Sequence, residues 1–126
     1  MQTNMDNIYA AGDVVQFKNK IEGLWNTAME QGKIAGANMA NDTAIYQSLI
    51  PMTVFTAFDM PLFSIGQIDK EPCQHPDCGS ETVPYKQVFK ENDAVCGAIV
   101  FDTVLAAAPY KEAIEQALPI TTLMEV

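Results

Sequence analysis

Three short stretches of the sequence carry residue types that could do chemistry. The first is the pair Gly12 and Asp13, which follows the apolar residues 8–11. We expect residues 7–12 to form a strand, and a carboxylate at the carboxyl end of a strand lies where open α/β sheets bind ligands. Taken alone, a Gly-Asp pair is also an ordinary turn, because both residues are common turn formers.

The second stretch holds two thiols and an imidazole, in Cys73, His75 and Cys78. These side chains could supply three zinc ligands, but a structural zinc site takes four and its ligands follow other spacings. We therefore predict an exposed loop without a metal, and keep a metal site as the alternative. The third candidate, Cys96, lies in the apolar run of residues 94–99, which predicts a buried and inert thiol.

A helix is predicted from Gly23 to Ala40, because apolar residues recur there every three or four positions. Gly32 and Gly36 each cost about 1 kcal/mol relative to Ala inside a helix. Together with Ala28 they recur every four residues, which predicts unusually close contact with a sheet or another helix.

The composition changes after residue 50, where short runs of β-branched and aromatic residues predict strands. The predicted strands are Thr53–Phe58, Leu62–Ile68, Val83–Lys90 and Ala94–Phe101, with a tight hairpin at residues 91–93. We expect two short helices within residues 102–118, separated near Pro109, and a tail that is either an edge strand or frayed. The fold class is thus α+β, an antiparallel sheet with two short C-terminal helices.

The chain has seven Lys, no Arg, and sixteen Asp and Glu, which gives a formal net charge of −9. An acidic surface without Arg repels nucleic acid and anionic lipid, so we predict neither as a partner. No apolar run approaches the length of a membrane span, and no charged-then-apolar leader opens the sequence. We therefore expect a cytoplasmic protein.

The segment from Thr3 to Ala40 resembles the second FAD-contacting segment of the pyridine nucleotide-disulfide oxidoreductase superfamily. The similarity rests on the string Ile-Tyr-Ala-Ala-Gly-Asp at residues 8–13, and on Trp25, Ala28, Gln31-Gly32, Ala35-Gly36 and Asn38-Met39-Ala40. It is greatest to the branch of NADH:rubredoxin reductases, NADH-dependent nitrite reductases and NADH oxidases, and continues more loosely to about Ala117. The Gly-x-Gly-x-x-Gly fingerprints that hold FAD and NAD(P)H in that superfamily do not occur here.

The resemblance implies a cofactor-binding role for four residues. The carboxylate of the Gly12–Asp13 pair would accept hydrogen bonds from the flavin's ribityl chain, and the helix beginning at Leu24 and Trp25 would point its amino end at the isoalloxazine. No residue of this chain is predicted to be catalytic. The superfamily's redox-active Cys pair precedes the Gly-Asp segment, so the position of Cys73 and Cys78 argues against that role.

The resemblance further implies that residues 1–43 are the end of an FAD-binding domain and residues 44–126 a C-terminal interface-like domain. The parent would be an FAD-dependent NAD(P)H oxidoreductase that passes electrons to a small redox protein, to a nitrite-reducing partner module or to dioxygen. The alternative is a non-catalytic dimerisation or interaction module. We expect no cofactor on this chain alone, and a homodimer formed through the N-terminal segment.

Overall fold

A computed structural model describes residues 1–59, 61–73, 85–101 and 107–124. These residues form two compact units, Met1–Pro51 and Met52–Val126. No helix in the ranges just given is long and apolar enough to cross a membrane.

The first unit is built on one helix, α1, which spans Trp25–Met39 and confirms the predicted helix. One face of α1 packs into the unit through Thr27, Gln31 and Ala35, which are all buried. Elsewhere in the unit, the ring of Phe17 meets that of Tyr46 edge-on, with centroids 4.9 Å apart. Phe17 and Lys20 close a tight turn by two backbone hydrogen bonds of 2.9 and 3.0 Å.

The predicted strand at residues 7–12 is not formed. Its only ladder contact is an isolated antiparallel bridge between Gln2 and Tyr9, and Ile8 is 48% exposed. A continuous apolar run is typical of a parallel strand with a neighbour on each side, and such a strand needs those neighbours for its hydrogen bonds. Within the described residues the segment is paired on one edge only, where Thr3 N–H donates to Ile8 O at 2.8 Å and Ala10 N–H to Met1 O at 3.2 Å, so no continuous strand forms.

The second unit contains an antiparallel sheet, which in the described residues has five strands in the order β1-β2-β5-β4-β3. The strands are β1 (Met52–Phe55), β2 (Leu62–Gly66), β3 (Glu71–Pro72), β4 (Lys86–Glu91) and β5 (Ala94–Phe101). The strand β5 has the predicted bounds, and β1, β2 and β4 overlap their predictions. The two-residue strand β3 was not predicted. The antiparallel α+β class is confirmed.

The turn between β4 and β5 consists of Asn92 and Asp93, whose φ angles are 51° and 64°. Two consecutive positive φ angles are typical of a type I′ turn, whose twist matches that of the flanking strands. Just beyond the turn, Cys96 has no partner in the register, because Phe89 pairs with Gly97 and Lys90 with Val95. Cys96 is therefore the extra residue of a β-bulge.

The core of the second unit lies between the sheet and the helix α2, which spans Ala107–Glu115. Phe63 is fully buried, and its ring centroid lies 5.7 Å from that of Tyr110 on α2. Ala98 and Ala113 are also almost completely buried. The helix runs through Pro109 without a break, so the predicted separation there is wrong. Pro109 is in the first turn, where a backbone N–H would have no helical partner.

The chain leaves α2 through a left-handed residue, Ala117, whose φ is 49°. The N–H of Leu118 donates to the carbonyl of Ala113 at 2.9 Å, and that of Ala117 to Ile114 at 3.3 Å, which is the Schellman arrangement. In the described part of the tail, a 3₁₀ helix, Ile120–Met124, stands where an edge strand or a frayed end was predicted, and residues 125–126 lie outside the described residues.

The backbones around two paired glycines, Gly66 on β2 and Gly97 on β5, lie unusually close together. A Cβ atom on Gly97 would lie 2.1 Å from the carbonyl oxygen of Gln67, and one on Gly66 would lie 2.2 Å from that of Cys96. Neither position can hold a side chain without moving the backbone. The close approach lets the N–H of Gln67 donate to Cys96 O at 2.8 Å.

Candidate functional site

The turn at Gly12 and Asp13 is the part of the first unit where a cofactor contact is predicted. Gly12 has a φ of 81°, and its carbonyl accepts a hydrogen bond from the N–H of Val15 at 2.9 Å. This left-handed conformation favours glycine, because other residues clash there. A Cβ atom at residue 12 would also lie 3.5 Å from Cβ of Ala28 on α1.

Gln31 holds this turn against the helix. Its Oε1 atom accepts a hydrogen bond from the N–H of Gly12 at 2.8 Å, and only 3% of the residue is exposed. The contact satisfies a backbone donor of the turn and fixes the turn beside the first half of α1. Gln31 is one of the residues that carry the family resemblance, but no role was predicted for it. A signal was present, since Gln31 is polar but shares the inward face of the helix with Ala28 and Ala35.

Asp13 is exposed, and its carboxylate makes no hydrogen bond or salt bridge within the described residues. An ionised carboxylate is an acceptor with about four lone-pair sites, so it suits a ligand rich in hydroxyl groups. The structure thus presents Asp13 on a fixed turn with its acceptor capacity available.

The amino end of α1 offers hydrogen-bond donors, whereas Asp13 offers an acceptor. Leu24 is the N-cap residue, with φ −118° and ψ 137°, and has no side-chain oxygen to cap the helix. No acidic residue lies in the first turn, and Trp25 beside it is 78% exposed. The nearby carboxylate of Glu22 accepts from Oγ1 of Thr27 at 2.6 Å. The uncapped N–H groups carry about half a positive charge, which favours an electron-rich or anionic group.

These features fit a flavin better than a metal. The turn offers an acceptor for hydroxyl groups, and the helix end offers donors for an electron-rich ring edge, all within the first unit. Whether Gly12, Asp13, Leu24 and Trp25 bind a cofactor stays a prediction.

Of the three ligands of the alternative metal site, only Cys73 can be described, because His75 and Cys78 lie outside the described residues. Cys73 is buried beside β4, where its N–H donates to the carbonyl of Val88 at 2.8 Å and its carbonyl accepts from Nε2 of Gln87 at 3.4 Å. Among the residues that the structure describes, no three His, Cys, Asp or Glu side chains lie close enough together to hold a metal ion.

Cys96 is half-buried rather than fully buried. Its Sγ atom lies 3.9 Å from the carbonyl oxygen of Gln67. Partial burial, and then the carboxylate of Glu91, raise the pKa of the Cys96 thiol above its ordinary value. The hydrogen bond from Nζ of Lys70 to Glu91, 2.8 Å long, raises the pKa of Lys70 in turn. A raised thiol pKa disfavours the reactive thiolate, in keeping with the predicted inert role.

Comparison with known proteins identifies relatives that are similar to this chain in sequence. NADH-rubredoxin oxidoreductase of Clostridium acetobutylicum is 32% identical over 106 residues, which cover 83% of this chain and 28% of the relative. The CoA-dependent NAD(P)H sulfur oxidoreductase of Pyrococcus abyssi is 31% identical over 77 residues, or 56% of this chain and 17% of the relative. The chain therefore spans less than a third of the length of these relatives.

Solved structures share the fold. The crystal structure of NADH:rubredoxin oxidoreductase from Clostridium acetobutylicum matches 99% of this chain and 35% of its own, with a TM-score of 0.77 and 26% identity. An NAD-dependent persulfide reductase from A. fulgidus matches with a TM-score of 0.69 over all of this chain and 28% of its own. At 23% identity, the second match speaks for the fold alone.

The family match covers the whole sheet and α2. Residues 51–118 match the rubredoxin NAD+ reductase C-terminal domain, and the solved structure from Clostridium acetobutylicum extends the similarity of fold to 99% of the chain. The chain therefore belongs to the family of rubredoxin NAD+ reductase C-terminal domains, and corresponds to the C-terminal part of a pyridine nucleotide-disulfide oxidoreductase.

Proposed function

We propose that this chain is the C-terminal portion of an FAD-dependent NAD(P)H oxidoreductase whose electrons pass through the flavin to an acceptor. The observation that carries the proposal is the Gly12–Asp13 turn, tied to α1 by the hydrogen bond from Gly12 to Gln31. The family match at residues 51–118 supports it independently. For the acceptor we propose a small redox protein, in view of the rubredoxin oxidoreductase relative, with nitrite reduction through a partner module or dioxygen as alternatives.

The roles that we propose for the cofactors and for the protein follow from the chemical groups that each supplies. Bound FAD and NAD(P)H would supply the hydride chemistry, while the protein supplies binding and electrostatics. Asp13 would accept hydrogen bonds from the ribityl hydroxyl groups, Gln31 would hold the turn that carries Asp13, and the N–H groups at the start of α1 would stabilise negative charge at the flavin ring. In this proposal residues 1–43 complete the FAD-binding domain and residues 44–126 form the C-terminal domain.

A direct test uses the full-length polypeptide of the gene. We expect the purified protein to show flavin bands in its visible spectrum and to oxidise NADH or NADPH. Absence of both would contradict the proposed function.

The role of Asp13 has its own test in the same protein. Asp13→Ala should weaken FAD binding about 10- to 100-fold, because hydrogen bonds to a charged group are worth about 1.5–3 kcal/mol. Asp6→Ala is the matched control, since Asp6 is also an exposed aspartate of the first unit. Titration of the apoprotein with FAD measures both affinities. Equal affinities for the two variants would remove Asp13 from the site while leaving the oxidoreductase assignment intact.

A second candidate function is a non-catalytic interaction module, and the apolar surface of the first unit favours it. Ile8, Trp25, Met29 and Ile45 are 48%, 78%, 51% and 81% exposed. Burying a large apolar side chain fully is worth about 1.5–3 kcal/mol, so such a surface favours association. We propose a homodimer formed through this N-terminal segment.

We also keep a cytoplasmic location as a proposal, which cell fractionation would test.

A further inference from the structure

Gln31 is a polar residue on the buried face of α1. It shares that face with Thr27 and Ala35, and only 3% of its surface is exposed. The opposite face is open, since a Cβ atom built on Gly32 or Gly36 would meet nothing within 4 Å. The close contact predicted at these glycines is therefore not made within the described residues. A buried polar side chain is normally fully hydrogen-bonded, so the whole amide of Gln31 calls for partners.

The amide of Gln31 has a partner for its oxygen and none for its nitrogen. Its Oε1 atom accepts from the N–H of Gly12 at 2.8 Å, and its Nε2 atom makes no hydrogen bond within the described residues. The amide cannot be turned the other way, because the N–H of Gly12 is a donor and requires the oxygen. Gln31 therefore keeps two N–H donors unused.

These donors can be reached from outside the chain. In the described residues, the side-chain polar atom that is both fully enclosed and unpaired is the hydroxyl oxygen of Tyr46, so Nε2 of Gln31 is not sealed inside the unit. Thr27, the other buried polar residue of this face, is satisfied within the chain, because its Oγ1 donates to the carboxylate of Glu22 at 2.6 Å. Unpaired buried donors are unfavourable, so an external acceptor at Nε2 would stabilise this arrangement.

The unused donors lie at the same turn as the carboxylate of Asp13. Gly12, which binds the amide of Gln31, is joined directly to Asp13, whose exposed carboxylate has its acceptor capacity available. A carboxylate only accepts and an amide N–H only donates, whereas each hydroxyl group of a polyol does both. The turn thus offers both kinds of partner to a chain of hydroxyl groups. A metal ion would find no ligand in an N–H group.

We infer that Nε2 of Gln31 donates a hydrogen bond to a ribityl hydroxyl group of bound FAD. The contact rests on the proposed function, because it requires a flavin at the Gly12–Asp13 turn. Gln31 would then bind the cofactor directly, in addition to holding the turn through its Oε1 atom. Asp13 and Gln31 together would bind the ribityl chain as an acceptor and a donor.

Gln31→Glu in the full-length polypeptide tests the donor separately from the turn. The new side chain has nearly the same size and keeps an oxygen for the N–H of Gly12, but it has no N–H when it is ionised, well above its ordinary pKa. We expect the dissociation constant of FAD, measured by titration of the apoprotein, to rise about 3- to 10-fold, as for the loss of one uncharged hydrogen bond. Gln16→Glu is the matched control, since it adds the same charge at an exposed glutamine near Asp13 and should leave the affinity unchanged.

A double variant shows whether Gln31 acts on the flavin directly or through Asp13. If Nε2 contacts the flavin, Gln31→Glu should also weaken FAD binding in the Asp13→Ala background. If Gln31 only holds the turn that carries Asp13, the effect of Gln31→Glu should vanish in that background. Loss of the effect would overturn the direct contact.

The outcomes separate this contact from the proposed function. A wild-type full-length protein that binds no flavin would overturn both. A wild-type protein that binds FAD with an affinity unaltered by Gln31→Glu would overturn the contact alone, and is the result expected if a backbone carbonyl of the longer polypeptide accepts from Nε2. Circular dichroism checks the fold of each variant. If Gln31→Glu does not fold, the uncharged Gln31→Met takes its place in the same comparison with Asp13→Ala, with the same outcomes for and against the contact.

Discussion

At the scale of single residues, Cys96 shows how a bulge sets chemical reactivity. The bulge brings its thiol beside the ion pair of Lys70 and Glu91, and burial together with the Glu91 carboxylate raises the thiol pKa. Because the raised pKa belongs to the folded state, the folded protein keeps the thiol proton to higher pH than the unfolded chain. This contribution to stability is fully present below the ordinary pKa of 9.0 and is lost as the pH rises through the folded-state pKa.

We predict that Cys96 reacts slowly with iodoacetamide near neutral pH, with a midpoint of its rate against pH above 9.0. Glu91→Gln should lower that midpoint, because it removes a carboxylate that opposes the thiolate and releases the Lys70 ammonium. Glu112→Gln, which removes an exposed carboxylate on α2, is the control. Mass spectrometry of the peptide that contains Cys96 measures the rate, and a midpoint at or below 9.0 would contradict the assignment.

At this scale the sequence predicted Gly12 and Asp13 as site residues, which stays a prediction, and it assigned no role to Gln31. The Gly-Asp pair is a local pattern, whereas the role of Gln31 depends on a contact between residues 19 positions apart. Periodicity places Gln31 on the inner face of α1, yet nothing local says which donor faces it. The apolar residues around Cys96 predicted a fully buried thiol. The bulge that leaves Cys96 half-exposed cannot be inferred from that apolar run.

At the scale of elements, the C-terminal end of α2 is held in a conformation that its sequence does not favour. Ala117 occupies the left-handed position of the Schellman arrangement, where glycine is the common residue. The two hydrogen bonds to Ala113 and Ile114 stabilise the turn enough to keep a residue with a Cβ atom there.

Ala117→Gly should therefore raise the free energy of unfolding by roughly 0.5–1 kcal/mol, since the strain of a left-handed alanine is about 1–2 kcal/mol and glycine adds chain entropy in the unfolded state. Ala113→Gly, in the buried interior of the same helix, should lower it by at least about 1 kcal/mol. Urea denaturation followed by circular dichroism compares the two. A destabilised Ala117→Gly variant would count against the left-handed conformation.

Elements with strong local patterns were predictable from the sequence. The apolar run of β5, the Asn92–Asp93 turn and the apolar periodicity of α1 each predict their structure from a few neighbouring residues. The predicted strand at residues 7–12 is wrong because the segment is paired with residues 1–3 on one edge only, and a local pattern does not show which partners a strand will have. The predicted break at Pro109 is wrong because the sequence alone does not show where α2 begins. A proline in the first turn is tolerated, whereas a proline in a helix interior breaks the helix, and the two cases look the same until the first residue of the helix is known. The strand β3 is two residues long, too short to carry a pattern.

At the scale of the whole molecule, the proposed function gives this chain only one part of a cofactor site. Asp13 and the start of α1 would contact the ribityl chain and the ring, while groups that would hold the pyrophosphate of FAD are absent from the sequence, which lacks the glycine fingerprints.

We therefore predict that this 126-residue chain alone binds FAD no more tightly than about millimolar, because one or two hydrogen bonds offset little of the entropy of association. Fluorescence titration of FAD with the purified chain measures the affinity, and the full-length polypeptide serves as the positive control. A dissociation constant of micromolar or better would show that the chain carries a complete site.

The paired glycines of β2 and β5 bear on how the sheet chooses its alignment. A slip of two residues between these strands would keep every side chain on its own face, so the hydrophobic pattern does not forbid it. Such a slip would bring Val95 or Ile99 to the position of Gly97, where a Cβ atom would lie 2.1 Å from the Gln67 carbonyl. The two glycines therefore permit the observed register between β2 and β5, whereas a register shifted by two residues in either direction would produce a steric clash.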